Sequence, residues 1–345
     1  MKRLLFVDYM GNSDSKGKPI GHSTKVLREY IDLLCSNYEI GVAAPQNILA
    51  LIDDYNVTKH PLDYHICIDA NSDQNKKDMR RNNLNTITTL KGYDLIWFYV
   101  IDNYFFQWAL FHPFLMGKSI CTSYQETFSS RKTDLFYSWV KKHIGLIIST
   151  SPQVIDSKAV HIPDYFYDKE KYKGLFGAKK DIAVCVGTVG PEKNIEQLIP
   201  AFNDIQYELI IAGHFRDKER LNYLYRLANN NIHISDSYLS DEEYIQILGE
   251  AKFAVLPYRM NSYKNRTSGV LQECVFTKTV PIAPIELLEE NRIPGISLES
   301  FMEKPEIIID YNLDSIYSEM DDLIISVFDK ETIKAKLCNR FNSMY

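Results

Sequence analysis

The chain lacks paired cysteines, long apolar runs and an excess of basic charge. Its six cysteines, at 35, 67, 121, 185, 274 and 338, include no short-spaced pair and none beside a histidine at zinc spacing. Neither a disulfide framework nor a metal site is indicated, and a reducing, cytoplasmic setting fits best. The longest uncharged run, residues 103–117 (NYFFQWALFHPFLMG), is broken by His112 and Pro113 and is too short for the roughly 20 apolar residues that span a bilayer. It reads as a buried helix; the alternative is a surface that dips into a membrane or holds a lipid tail. The net charge of −6 argues against a nucleic-acid partner, which needs a basic surface to displace phosphate counterions. No carboxylate cluster at strand ends suggests a bound cation. The opening MKRLLFVDYMGNSD has only a short apolar run before Asp8 and no small-residue cleavage site, so it reads as a first strand rather than a leader.

What is present is an α/β rhythm. With 345 residues, 45% hydrophobic and 24% charged, the chain suits two soluble domains of ordinary size. In the first half short β-rich runs (RLLFVDY, YEIGVAA, YHICID, YDLIWFY, KSICTS, HIGLIIST) alternate with helical stretches. After a polar segment that looks like a linker, DYFYDKEKYKGLFGAKK, the rhythm returns as DIAVCVGT, YELIIAG, NIHIS, FAVLPY and TVPIAP. Nearly all-apolar strands separated by helices predict parallel sheets covered on both faces. We expect two doubly wound, Rossmann-like domains in tandem, residues 1–165 and 166–328, followed by a last helix in 329–345. Ligands of such sheets bind beyond the carboxyl ends of the strands, which makes the strand-to-helix loops the informative places.

The loop VGTVGPEKN ends its strand at Gly187 and sets Lys193 at the mouth of a helix that Asn194 could cap; the bland reading is a solvated surface lysine. The next loop, IAGHFRDKE, turns at Gly213 and His214. In SDSYLSDEEY, Ser240 and Glu243 match a capping box. Then NRTSGVLQE, residues 265–273, places Asn265, Arg266, Thr267, Ser268 and Gly269 at a helix start. Unpaired amides and the helix dipole make such a start an anion seat. Together with Lys193, Arg259, Lys264 and Arg266 it would hold a diphosphate. Glu273, about one turn in, could then accept two hydrogen bonds from ribose hydroxyls; otherwise it decorates a solvated helix face.

The order VGTVGPEKNIEQLIPAF, ELIIAG, SDSYLSDEEYIQILGEAKFAVLPY, TSGVLQE and VPIAP resembles the donor domain of the retaining GT-B glycosyltransferases of family 4, over residues 181–300. The resemblance implies two domains facing a central cleft, residues 1–165 on the acceptor side and 166–328 on the donor side, with the helix in 329–345 crossing back. It also implies that Lys193 binds the donor diphosphate, that Glu273 binds the nucleotide ribose and that the Tyr238 region backs the base, with Gly187, Gly213, His214 and the 265–269 turn around the donor. Two departures stand out: the family commonly has Glu where this chain has Asn265, and the arginine usual near Lys193 is replaced by Thr188 or Gly190. Arg266 or Arg259 could restore the charge. On the acceptor side the glycine-bearing loop 11–25 offers Gly21 and His22, and CTSYQETF offers Tyr124, where the family often has His, and Glu126. Lys76, Lys77, Arg80 and Arg81 form a basic helix suited to anionic lipid or to a solvated face.

These features imply a retaining transferase that moves a sugar from a UDP- or GDP-linked donor to a glycan or lipid-linked acceptor, in bacterial surface polysaccharide synthesis, without metal or cofactor. Peripheral membrane contact is a further expectation. The alternatives are a two-domain nucleotide-sugar epimerase, a phosphorylase-like enzyme, for which the cofactor-lysine motif is missing, and a degenerate GT-B protein that binds nucleotide or scaffolds an assembly complex.

Overall fold

The computed structural model describes residues 1–13, 17, 19, 23–67, 71–99, 101–123, 131–152, 158–172, 179–263 and 267–344. Gly21, His22, Tyr124, Glu126, Lys264, Asn265 and Arg266 lie outside the described residues.

The first of two compact units comprises Met1–Thr150, Val154–Asp164 and Lys330–Tyr345. Its strands are β1 (Lys2–Val7), β2 (Asn12–Ser13), β3 (Tyr38–Pro45), β4 (Thr58–Leu62), β5 (Ile66–Cys67), β6 (Leu95–Phe98), β7 (Ser119–Ser123), β8 (Leu146–Ser149) and β9 (Ala159–His161). Seven form a parallel sheet in the order β4-β3-β1-β6-β7-β8-β9, while β2 pairs with β5 apart from it. Every residue of β6 and β8 is buried, as expected where helices cover both faces. The closing helix Lys330–Asn342 belongs to this unit; its Phe341 ring lies 5.8 Å from both Tyr38 and Trp97.

The second unit comprises Ser151–Gln153 and Tyr165–Asp329. It contains β10 (Lys180–Val186), β11 (Glu208–Gly213), β12 (Ile232–Asp236), β13 (Ala251–Val255), β14 (Val280–Ala283) and β15 (Ile296–Ser297), all parallel, in the order β12-β11-β10-β13-β14-β15. In each unit the chain starts at the centre, builds outward to one side, then crosses to the other. The crossing leaves a crevice beyond the carboxyl ends of the central pair, which is β10 and β13 in the second unit.

At the foot of β10 Lys179 ties two helix ends together. Its ammonium donates to Gly249 O and Thr277 O, both at 2.6 Å, and to Thr279 Oγ1 at 2.9 Å. Burial lowers its pKa to about 8. The bonds anchor the helices Asp241–Glu250 and Gly269–Thr277, both of which reach the functional edge.

Several expectations need correction. The polar segment after residue 163 is not a solvated linker: Tyr165, Phe166 and Tyr172 are buried, and Tyr172 packs edge-on against Phe276 at 5.4 Å. Among the described residues of the stretch YHICID, the strand is the two-residue β5, and β4 and β9 carry no strong apolar pattern. β4 contains Pro61, which an edge strand tolerates because one side of its backbone needs no partner. Run 103–117 is helical and buried as expected, split at His112 into Asn103–Phe111 and Pro113–Met116, which bury Phe105, Phe106, Trp108, Leu115 and Met116. Phe111 and Phe114 stay 79% and 71% exposed. In the basic helix Asp73–Ile87, Arg80 is engaged with Asp102 at 3.1 Å rather than presented to a surface. Among the described residues, no helix is long and apolar enough to cross a membrane.

Candidate functional site

The crevice of the second unit is built by backbone zippers between its loops. After β10, Val189 N donates to His214 O at 2.9 Å and Arg216 N donates to Val189 O at 3.3 Å, so the loops after β10 and β11 run side by side. On the other flank Asn194 N donates to Pro257 O at 2.8 Å and Arg259 N to Glu192 O at 3.0 Å, joining the first loop to the exit of β13. Asn194 makes no side-chain cap, contrary to the sequence expectation; its amide donates to Gln197 Oε1 at 2.9 Å. Gly187 takes a φ of +93°, which favours glycine. A side chain on Gly213 would place its Cβ 2.1 Å from Gly187 O, so both glycines are needed for the loops to touch.

Arg220, which the sequence analysis did not single out, staples the first loop. Its guanidinium donates to Gly190 O at 2.7 Å, to Lys193 O, and to both carboxylate oxygens of Glu196. The pairing holds Glu196 below the ordinary carboxylate range. Nothing local marks this contact, because residues 196 and 220 meet only through the sheet.

These loops turn Lys193 inward. It is not the solvated lysine of the bland reading but is 4% exposed. Its ammonium donates to Val186 O at 2.9 Å and lies 5.7 Å from the centre of the Tyr258 ring. Among the described residues, Val186 O is its sole hydrogen-bond partner and no carboxylate pairs with it. Burial pushes its pKa down, and the Arg216 charge pushes the same way, while Glu192 partly offsets them. A buried ammonium with one carbonyl for company leaves donors unmet, and a bound anion is what would satisfy them.

Tyr258 links this lysine to the helix Gly269–Thr277. Its hydroxyl shares a hydrogen bond of 3.2 Å with Ser268 Oγ, and its ring stacks on Tyr263 at 4.0 Å. Ser268 is the N-cap, accepting from Leu271 N. Thr267 instead accepts from Gln272 Nε2 at 2.8 Å, and Gln272 in turn accepts from Tyr165 N at 3.1 Å. Gly269 packs against the Tyr165 ring, which a Cβ would approach to 2.4 Å.

Glu273 does not lie on a solvated face. It is 2% exposed and accepts a hydrogen bond from the Tyr244 hydroxyl at 2.8 Å. Burial and the nearby carboxylate raise the Tyr244 pKa well above the ordinary range, which keeps that phenol a donor. Beyond β11 and β12, the His214 and Tyr238 rings stack at 4.2 Å, with Tyr238 63% exposed. Asp236 orders this shelf by accepting from Phe215 N and pairing with Lys218. Ser240 and Glu243 make the expected capping box. Among the described residues, no group of three or more His, Cys, Asp or Glu could hold a metal ion.

No protein-family model and no curated protein matches the chain. Solved structures match it over nearly its whole length. They include the crystal structure of Anabaena HepE in complex with UDP and glucose, at 13% identity over 99% of this chain and 100% of that one, with a TM-score of 0.67. AviGT4, a glycosyltransferase involved in avilamycin A biosynthesis, matches at 13% identity over 100% and 98% with a TM-score of 0.62. Trehalose-6-phosphate synthase OtsA matches at 10% identity over 99% and 99% with a TM-score of 0.67. At such identities the likeness is one of fold, and the fold is the GT-B architecture of two Rossmann-like domains.

Proposed function

We propose that the protein is a nucleotide-sugar-dependent glycosyltransferase that transfers with retention to a glycan or lipid-linked acceptor in bacterial surface polysaccharide synthesis. The observation that carries this reading is the buried Lys193 ammonium, held by one carbonyl at the carboxyl end of β10 and joined through Tyr258 to the capped helix bearing Glu273. A nucleoside diphosphate fits that arrangement. The diphosphate takes the unmet donors of Lys193 and the amides of the helix start, the ribose hydroxyls meet Glu273, and the base lies toward the His214–Tyr238 shelf.

The same charges then serve the reaction. As the anomeric bond breaks, negative charge gathers on the leaving diphosphate, and a fixed ammonium in a site shielded from water stabilises it without reorganising. Tyr244 holds the Glu273 carboxylate at its place on the helix. Arg266 remains a proposed additional phosphate contact. The HepE complex holds UDP, which makes UDP the first nucleotide to try here.

The experiment is a panel of UDP- and GDP-sugars incubated with the protein and scored for three products. Release of nucleoside diphosphate, as hydrolysis or transfer, supports the transferase. Conversion of the nucleotide sugar into an isomer would replace it with the epimerase. Tight nucleotide binding without turnover would favour the non-catalytic alternative.

A further inference from the structure

We propose that Arg216 is the second cation of the diphosphate seat, supplied by the loop after β11 because the loop after β10 carries no arginine. The inference rests on the reading of this crevice as a nucleoside-diphosphate site.

Residues 186–193 read VGTVGPEK, so Lys193 is the first cation that loop provides. The backbone zipper compensates. With Val189 bridged to Phe215 and Arg216 N bonded to Val189 O, Arg216 sits directly across from the Val189–Gly190 turn.

The loop after β11 and the first turn of the helix Lys218–Leu227 together carry three cations within five residues, and two are already spent. Lys218 is paired with Asp236. Arg220 is committed to Glu196 and to the carbonyls of Gly190 and Lys193. The Arg216 side chain is exposed and, among the described residues, has neither a hydrogen bond nor an ion pair. The positive charge of Arg216 adds a little to the burial that pushes the Lys193 pKa down. Two neighbouring cations that disfavour each other are both relieved by one anion between them. A guanidinium also offers two parallel donors to phosphate oxygens, which an ammonium cannot.

The test is calorimetric titration of UDP, GDP and the corresponding monophosphates into the parent, Arg216→Ala, Arg216→Lys and Arg259→Ala. For Arg216→Ala the preferred diphosphate should bind about tenfold or more weakly, the size of losing one charge-assisted contact, while the monophosphate changes much less. Arg216→Lys should recover part of the loss, and Arg259→Ala should weaken diphosphate binding less than Arg216→Ala; an equal or larger loss in Arg259→Ala would make Arg259 the second cation and overturn the inference. Because the side chain is exposed, thermal midpoints should not move. Parent-like diphosphate affinity in Arg216→Ala, or an equal loss for the monophosphate, overturns the inference. Failure of the parent to bind any nucleoside diphosphate instead overturns the reading of the site, and the inference with it.

Discussion

The Tyr244 hydroxyl donates to the Glu273 carboxylate across 2.8 Å, joining two helices whose residues are 29 positions apart. The carboxylate is buried and Tyr244 half-buried, so the contact fixes where the carboxylate can go.

Glu273→Gln keeps an acceptor for Tyr244 and should fold normally, yet it weakens charge-assisted bonds to ribose, each worth roughly 1.5–3 kcal/mol. Nucleoside diphosphate affinity should fall about tenfold or more. A 2′,3′-dideoxy analogue should bind parent and variant alike. Equal affinity of the two proteins for the ordinary nucleotide would remove Glu273 from the ribose. Tyr244→Phe should instead destabilise the fold by about 1–3 kcal/mol, because it removes a hydrogen bond to a buried carboxylate; denaturant midpoints measure this.

Lys193→Met removes a buried charge that has one carbonyl partner. The ligand-free protein should be as stable as the parent or more so, since an uncompensated buried charge costs free energy. Turnover should fall by a factor of about 100 to 1,000. A large loss of stability with unchanged turnover would make the lysine a structural strut.

Nucleotide affinity should decline with rising pH. Burial lowers the Lys193 pKa in the free protein, and a bound diphosphate favours the charged form, so binding is linked to proton uptake once the pH passes the depressed value. For folding the sign is opposite. Between that value and the ordinary 10.5 the unfolded chain holds more protons, and this group's contribution to stability rises with pH. Titrations in buffers of different ionisation enthalpy should reveal the uptake, and Lys193→Arg should abolish it.

Arg220→Ala leaves Gly190 O, Lys193 O and Glu196 without their shared donor. Stability should drop by about 1.5–3 kcal/mol. Amide exchange should quicken in residues 187–196 while the β10 core stays protected. Uniform acceleration across the second unit would mean that the arginine supports the whole domain.

Chelation should leave activity intact, since side-chain cations and helix amides supply the positive charge in this reading. Complete loss on adding EDTA, restored by magnesium, would contradict that division of charge.

Five of the six strands of the second unit were legible because each is an apolar run between loops, and the Ser240–Glu243 box because its partners lie three residues apart; the two-residue β15 was not. β4 was not, since TKHPL at a sheet edge needs no apolar alternation. The segment around Tyr165–Tyr172 misled through its lysines and acids, because the tyrosines and Phe166 that pack inward share the chain with them.

Local order therefore determined the two doubly wound sheets, the capped helix start and the identity of Lys193 and Glu273 as candidates. These follow from hydrophobic period and short-range hydrogen bonding, which depend on neighbours in the chain. Tertiary structure alone decided that Lys193 and Glu273 are buried, that Tyr244 and Arg220 hold the site in shape and that Arg216 faces Lys193's loop. Each of those facts depends on two loops meeting at a sheet edge. The electrostatic consequence of burial appears only when water has been excluded by residues far away in sequence.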